Sequence, residues 1–153
     1  MTYLRPIMLG LAILGLAPAP ALATEAGAAA EEAAAAPERI EIDLNRLEPA
    51  DGACRFYMVF ANTTPRSYAS LKLDLVMFDA SGVILKRLAV DGAPLPAGKT
   101  RLEVFDAAGL RCEEIAHVLF NDVLACDGDG GAAFDDCLGL IETKARGPVP
   151  FIK

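Results

Sequence analysis

The sequence predicts an all-β protein, an immunoglobulin-like antiparallel sandwich of about seven strands held by disulfides. Three observations favour this class. From Glu38 onward, apolar and polar residues alternate with a period of two, which is the pattern of half-buried strands. Residues typical of turns separate the alternating stretches. The chain also has four cysteines, none of them in a C-x-x-C arrangement.

The first strands are predicted from alternation and from the residues that end them. Ile40, Ile42 and Leu44 alternate with charged residues, and Asp51-Gly52 supplies a turn. The bulky run that follows predicts a central strand, which Asn62-Thr63-Thr64-Pro65 ends. The next two strands are separated by an Asp-Ala-Ser-Gly turn and predict a hairpin. In chain order, these first four predicted strands lie at residues 40–44, 54–61, 70–79 and 83–90.

A second group of strands follows the turn at residues 94–98, Pro-Leu-Pro-Ala-Gly. The first member alternates, the second is a long apolar stretch, and the third surrounds Cys137 and Leu140. We also expect a short helical turn at residues 106–111. The three predicted strands lie at residues 99–105, 115–126 and 134–143.

The segments outside the sandwich differ from it in composition. Residues 1–23 predict a signal peptide, with Arg5, an apolar run at 7–16 and an A-x-A pattern that places cleavage between Ala23 and Thr24. This run is shorter than the about 20 residues that span a bilayer. We therefore expect a periplasmic or secreted protein without membrane insertion after cleavage. Residues 24–37 predict an Ala/Glu-rich linker, residues 38–144 the sandwich domain, and residues 145–153 a flexible tail.

The cysteines are expected to form disulfides, because the chain is predicted to reach an oxidising compartment. Three pairings of Cys54, Cys112, Cys126 and Cys137 are possible. Cys126 and Cys137 flank a Gly- and Asp-rich loop between predicted neighbouring strands, which is the easiest closure and leaves Cys54 with Cys112. Redox catalysis or zinc binding would favour C-x-x-C or clustered Cys and His residues, a pattern that this sequence lacks.

The acidic loop that follows Cys126 is the feature most similar to a ligand site. Asp127, Asp129 and Asp135 alternate with or follow glycines, and carboxylates on a flexible loop are what Ca²⁺ requires. The loop departs from the EF-hand pattern, since no Glu stands at its closing position. A glycine-rich turn inside a disulfide-closed hairpin explains the same residues.

Other chemistry is weakly represented. His117 is the one histidine and lies in a predicted apolar strand, where we expect it to pack. No nucleophile, base and orienting group are jointly visible, so we predict a non-enzyme without a cofactor. The formal net charge of −7 and the scattered Lys and Arg residues argue against nucleic acid as a partner. The glycosylation-like Asn62-Thr63-Thr64 is interpreted as a turn.

The segment from Asn62 to Phe105 resembles small exported β-sandwich domains of the FxLYD type. The resemblance lies in the Asn-Thr turn, in LKLDLVMFD at residues 71–79, and in LPAGKT at residues 95–100. Residues 40–143 are also similar to uncharacterised alphaproteobacterial exported proteins labelled as Tat pathway signal proteins. The leader here has Arg5 alone rather than a twin arginine, which favours Sec export. The resemblance implies a fold and supplies no catalytic residues.

These observations predict an exported, non-catalytic module that binds an unidentified protein or envelope partner. An extended partner adding a strand to an exposed sheet edge is the expected mode. Cation binding through the loop at residues 127–136 is the alternative.

Overall fold

The computed structural model describes residues 37–153, which form two four-stranded sheets packed face to face. The predicted signal peptide, its cleavage point at Ala23 and Thr24, and the linker up to residue 36 lie outside the described residues. The predicted all-β sandwich is confirmed. Its strands are β1 (Ile40–Ala50), β2 (Ala53–Asn62), β3 (Ser70–Phe78), β4 (Ile84–Asp91), β5 (Thr100–Ala108), β6 (His117–Asp127), β7 (Ile141–Ala145) and β8 (Phe151–Ile152).

The core lies between the two sheets because each long strand turns alternate side chains inward. One sheet has the order β5-β2-β1-β7 and the other β4-β3-β6-β8. The inward residues are almost all apolar and fully buried. From the first sheet they include Ile40, Ile42, Phe56, Met58 and Phe60, and from the second Leu71, Leu73, Leu75, Met77 and Phe120.

The expectation of a purely antiparallel sandwich is wrong at one side of the molecule. β7 pairs in parallel with β1, and β8 pairs in parallel with β6. The chain leaves β6 for the opposite sheet and then crosses back, so each short strand arrives at its neighbour running in the same direction. Parallel neighbours need such crossover connections rather than hairpins. The described strands therefore number eight instead of about seven.

The predicted flexible tail at residues 145–153 is also wrong, since this segment is fixed to both sheets. The Arg146 backbone N–H donates to the Leu44 carbonyl at 3.0 Å, and the Arg146 guanidinium pairs with Asp43 at 2.6 Å. Val118 donates to the Pro150 carbonyl at 2.9 Å. Phe151 is only 6% exposed and belongs to the core. Burial of one large aromatic side chain outweighs the loop signal of the glycine and prolines around it.

Other boundaries differ locally from the prediction. β1 continues through Pro49 to Ala50 and has a bulge at Asn45. β7 pairs only with the first half of β1, so the second half is an edge. A proline is tolerated there because no neighbouring strand on that side needs its missing N–H. The strand predicted at 134–143 begins only at Ile141. A helical turn, α1 (Cys137–Leu140), precedes it and directs Cys137 inward. Within residues 37–153, no helix is long and apolar enough to cross a membrane.

The helical turn predicted at 106–111 is wrong in position. β5 continues to Ala108, and a 3₁₀ turn forms instead at Cys112–Glu114. The disulfide of Cys112 and the ion pair of Arg111 with Glu114, at 2.7 Å, hold the turn at this later position.

A buried carboxylate joins three neighbouring strands of the second sheet. Asp74 on β3 is 1% exposed. It accepts two hydrogen bonds from Arg87 on β4, at 2.7 and 2.8 Å, and one from the Asn121 amide on β6, at 2.6 Å. Asn121 is the extra residue of a β6 bulge. The pairing with the Arg87 guanidinium, with help from Asn121, holds the pKa of Asp74 below its ordinary value and outweighs the effect of burial.

Replacing Asp74 with asparagine is expected to flatten the acid side of the stability profile. The pKa of Asp74 is lower in the folded protein than in the unfolded chain, so its charge stabilises the fold above about pH 4 and ceases to do so as the pH falls through the lowered pKa. Denaturant titrations between pH 7 and about pH 2 should show the wild type losing more stability than Asp74→Asn.

Asp106→Asn is the matched control, because Asp106 pairs with Arg55 at 2.7 Å on the exposed face of the first sheet. In about 0.5 M NaCl, the change in stability caused by Asp106→Asn should decline, whereas the change caused by Asp74→Asn should persist because Asp74 is buried. Equal acid slopes for wild type and Asp74→Asn would contradict this role.

Candidate functional site

The four cysteines form two disulfides, and both predicted pairings are confirmed. Cys54 at the start of β2 bonds to Cys112 in the 3₁₀ turn, with their Cα atoms 4.9 Å apart. Cys126 near the end of β6 bonds to Cys137 in α1, with a Cα separation of 6.5 Å. No cysteine of the chain remains free. The first disulfide ties the first sheet to the β5–β6 connection, and the second ties the second sheet to the segment that leads to β7.

The structure does not bring the three predicted calcium ligands together. Asp129 and Asp135 are exposed, and Asp127 lies at the end of β6. Across residues 37–153, no three His, Cys, Asp or Glu side chains are placed to hold one metal ion. The loop instead closes on itself, with the Gly128 N–H donating to the Ala132 carbonyl at 2.7 Å. The geometry of the described loop therefore does not support the expected calcium site, which stays a prediction, and the turn within a disulfide-closed segment accounts for these residues.

His117 and Asn62 both have structural positions. The His117 ring stacks on Phe78 with a centroid distance of 4.7 Å and an interplanar angle of 8°. Asn62 is 2% exposed at the end of β2. Its amide nitrogen donates to the carbonyls of Arg66, Leu95 and Pro96, and its oxygen accepts from Thr64. The interpretation of Asn62-Thr63-Thr64 as a turn is confirmed, because this side chain pins two loops together.

The sheet edges differ in how well they are protected. On one side, β7 carries charged Glu142 and Lys144, and β8 is only two residues long. Such charges and shortness discourage a further strand from pairing. On the other side lie β4, which carries Lys86 and Arg87, and β5. The side of the sandwich between β4 and β5 we call the open side.

β5 is an edge strand that exposes two apolar side chains on its outer face. Leu102 is 56% exposed and Val104 is 42% exposed. They lie beside the half-buried Tyr57 and Val59 of β2, which are their register partners. Arg46 covers the Tyr57 ring at 4.2 Å. These four apolar residues, Leu102, Val104, Tyr57 and Val59, form what we call the β5 patch.

Alternate residues of β5 direct their backbone hydrogen-bonding groups to opposite sides of the strand. The Asn62 N–H donates to the Lys99 carbonyl, and the Gly109 N–H to the Gly52 carbonyl. The odd-numbered residues of β5 therefore bond to β2, since bonding and non-bonding residues alternate in an antiparallel pair. The N–H and C=O groups of Leu102 and Val104 consequently point to the open side. Of the described strands, none pairs with β5 there.

A slot of about 220 Å³ separates the two edge strands of the open side. Its apolar floor includes Leu88 from β4 and Phe105 from β5. Phe105 stacks on the buried Phe56 with a centroid distance of 5.0 Å. Asp91, Glu103 and Asp106 also line the slot, and two of their carboxylates are already paired, Glu103 with Arg101 and Asp106 with Arg55. Lys86 bridges one end by donating to the Ala108 carbonyl at 2.5 Å.

A second concavity of about 360 Å³ lies at one end of the sandwich, beside the Cys54–Cys112 disulfide. One wall comes from Leu44, Leu47 and Pro49 of β1, and the other from Val149. This groove was not predictable from the sequence, because the glycine and prolines of residues 145–153 are typical of a loose tail. The β5 edge was missed for another reason. Alternation predicts which residues share a face of a strand, but not whether that strand stands at the edge of its sheet.

Comparison with known proteins supports the fold. No protein-family model matches the chain, and no curated protein matches it. A solved structure described as the structural characterization of IrmA from Escherichia coli matches with a TM-score of 0.52 and 13% sequence identity. The match covers 74% of this chain and 97% of that chain. At this identity the likeness concerns the fold alone, and the resemblance to FxLYD-type and Tat-labelled exported proteins stays a prediction.

Proposed function

We propose that this protein is an exported, non-catalytic module that binds a protein or envelope partner by strand addition at β5. The observation that carries the proposal is the coincidence of two features on one strand. The N–H and C=O groups of Leu102 and Val104 point to the open side, and the side chains of the same two residues are exposed and apolar on the outer face. Strand addition uses backbone hydrogen bonds for affinity and alternate side chains for specificity.

Two disulfides support a location outside the cytosol, in the periplasm or after secretion. Disulfides persist in oxidising compartments and are rare where thiol reductants dominate. One disulfide joins β2 to the turn that follows β5, and the other joins β6 to the helical turn before β7. Neither disulfide covers the open side.

A binding role also fits the use that the fold makes of its reactive side chains. The four cysteines are consumed by disulfides, and the one histidine is stacked on Phe78. Cys and His side chains are frequent nucleophiles and bases in enzymes, and here each has a packing or cross-linking role.

The partner segment should be extended, with apolar residues at alternate positions. On the outer face its side chains would cover the β5 patch. On the inner face they would lie over the slot, where Phe105 and Leu88 offer apolar contact.

An affinity-capture experiment tests this proposal. The mature exported protein is immobilised and incubated with envelope proteins solubilised from the producing organism, and the bound proteins are collected. Mass spectrometry compares wild type with the double variant Leu102→Lys/Val104→Lys. Ile84→Lys is the matched control, because Ile84 is 60% exposed on β4. We expect proteins that bind wild type and the control to be lost from the double variant by at least about tenfold.

Hydrogen exchange of the isolated complex then tests the mode. The amides of Leu102 and Val104 should exchange at least about tenfold more slowly once the partner is bound, because they gain backbone hydrogen bonds. The amide of Glu103, which already faces β2, should change little. Capture that is unaffected by the double variant would contradict strand addition at β5.

A further inference from the structure

Charge is ordered along β5 and the turn before it. Lys99 and Arg101 are basic and come first, whereas Glu103 and Asp106 are acidic and follow. Arg101 and Glu103 share the inner face and pair with each other at 2.7 Å. An antiparallel strand with the same sequence would place its basic half against this acidic half. The segment is thus complementary in charge to a second copy of itself.

Backbone geometry limits how two copies of β5 can pair. A two-fold axis perpendicular to the sheet must pass midway between one residue and its own copy, which then lie opposite each other. We call the residue that lies opposite its own copy the centre of the pairing. The middle of β5 offers three possible centres, Leu102, Glu103 and Val104.

The Glu103 and Val104 centres are unfavourable. A centre at Glu103 sets two like charges directly opposite, which destabilises a strand pair. A centre at Val104 places Leu102 against Asp106 of the other copy. It also needs the Ala108 carbonyl, which already accepts from Lys86.

The centre at Leu102 avoids both problems, although the Arg101 guanidinium also donates to the Ala93 and Pro94 carbonyls of its own chain. Arg101 of each copy lies opposite Glu103 of the other, and the two Leu102 side chains meet on the outer face. Thr100 lies opposite Val104, so the paired stretch uses only outward-facing backbone groups and leaves Ala108 bonded to Lys86. Lys99 of the second copy then lies opposite Phe105, at the edge of the slot.

We propose that the partner at β5 is a second copy of this chain, paired antiparallel with Leu102 on the two-fold axis. The inference rests on the proposed function, since it uses the same edge and the same mode of binding. Two four-stranded sheets become one eight-stranded sheet across the axis. The opposed Arg101 and Glu103 select this register, because inward-pointing charges reject strands that do not supply the opposite sign.

Sedimentation of the mature exported protein tests the proposal through charge reversal. The wild type should be a dimer that weakens with NaCl, because its register depends on partly exposed charge pairs. Arg101→Glu or Glu103→Arg alone should raise the dimer dissociation constant by at least about tenfold. The exchange variant Arg101→Glu/Glu103→Arg should restore dimerisation. Restoration by the double change cannot arise from misfolding, which circular dichroism monitors in parallel.

A cross-linking experiment fixes the position of the axis. Leu102→Cys should form an intermolecular disulfide in air, since residues on the axis face their own copies at about 5.5 Å between Cα atoms. Ile84→Cys on β4 is the control and should remain monomeric on non-reducing gels.

The outcomes separate this inference from the proposed function. A wild type that sediments as a monomer at all concentrations overturns the second copy as partner, while edge-dependent capture of another protein would leave strand addition standing. A dimer that ignores the charge reversals, or that cross-links equally through Ile84→Cys, places the interface elsewhere and also overturns the inference.

Discussion

Replacing both Cys54 and Cys112 with alanine is expected to lower the free energy of unfolding by about 4 kcal/mol. The reason is the length of the loop. This disulfide joins residues 58 positions apart, so it restricts the unfolded chain far more than a short closure does. A domain of this size has about 5–15 kcal/mol of stability in all, so the double variant should be close to its unfolding limit at 37 °C.

Cys126→Ala/Cys137→Ala is the matched control. Its loop spans 11 positions, and the same relation gives a loss of about 3 kcal/mol. Urea titration followed by far-ultraviolet circular dichroism measures both, which suits a chain without tryptophan. A loss from the long-loop variant that is smaller than the loss from the short-loop variant would contradict the loop-length explanation.

Asn62→Ala is expected to lower the free energy of unfolding by about 3 kcal/mol. The substitution removes a buried side chain that satisfies three carbonyl acceptors and the Thr64 backbone N–H at once. Each buried polar group left without a partner costs about 1–3 kcal/mol, and part of this set remains accessible to water. The turn after β2 and the turn before β5 would lose their common anchor, so the start of β5 should exchange its amide hydrogens faster.

Two further variants isolate the cause. Asn62→Asp keeps the acceptor for Thr64 but turns a carboxylate oxygen toward the carbonyls of Arg66, Leu95 and Pro96, so it should destabilise the fold at least as much as alanine. Asn45→Ala, in the exposed bulge of β1, should cost less than about 0.5 kcal/mol. The same urea titration compares all three proteins. Asn62→Ala and Asn45→Ala of equal stability would contradict the anchoring role.

The sequence contains enough local information to predict the fold class and both disulfides. Alternation in β1, β3 and β5 reflects which side chains point inward, a property that depends only on the period of a strand. The Cys126–Cys137 closure follows from proximity along the chain, and with four cysteines it determines the remaining pair.

What the sequence did not reveal depends on contacts between distant residues. The tail was mistaken for a loop because Phe151 acquires its burial from β6, more than thirty positions away in the chain. Asp74 and Asn121 meet only because a bulge in β6 turns Asn121 toward β3. The β5 patch likewise depends on the order of strands in the sheet, which no local pattern encodes. Whether Asp127, Asp129 and Asp135 converge depends on the conformation of their loop, which their closeness in the sequence does not determine, and in the described loop they are not gathered around one point.

The short strand β8 closes one flank of the core from a place far along the chain from the strand that it covers. It pairs with β6 and buries a phenylalanine that is 6% exposed. A protease cut in the segment between β7 and β8 would therefore release this cover and leave an unfilled pocket beside β6, although every other strand pair of the two sheets stayed in place.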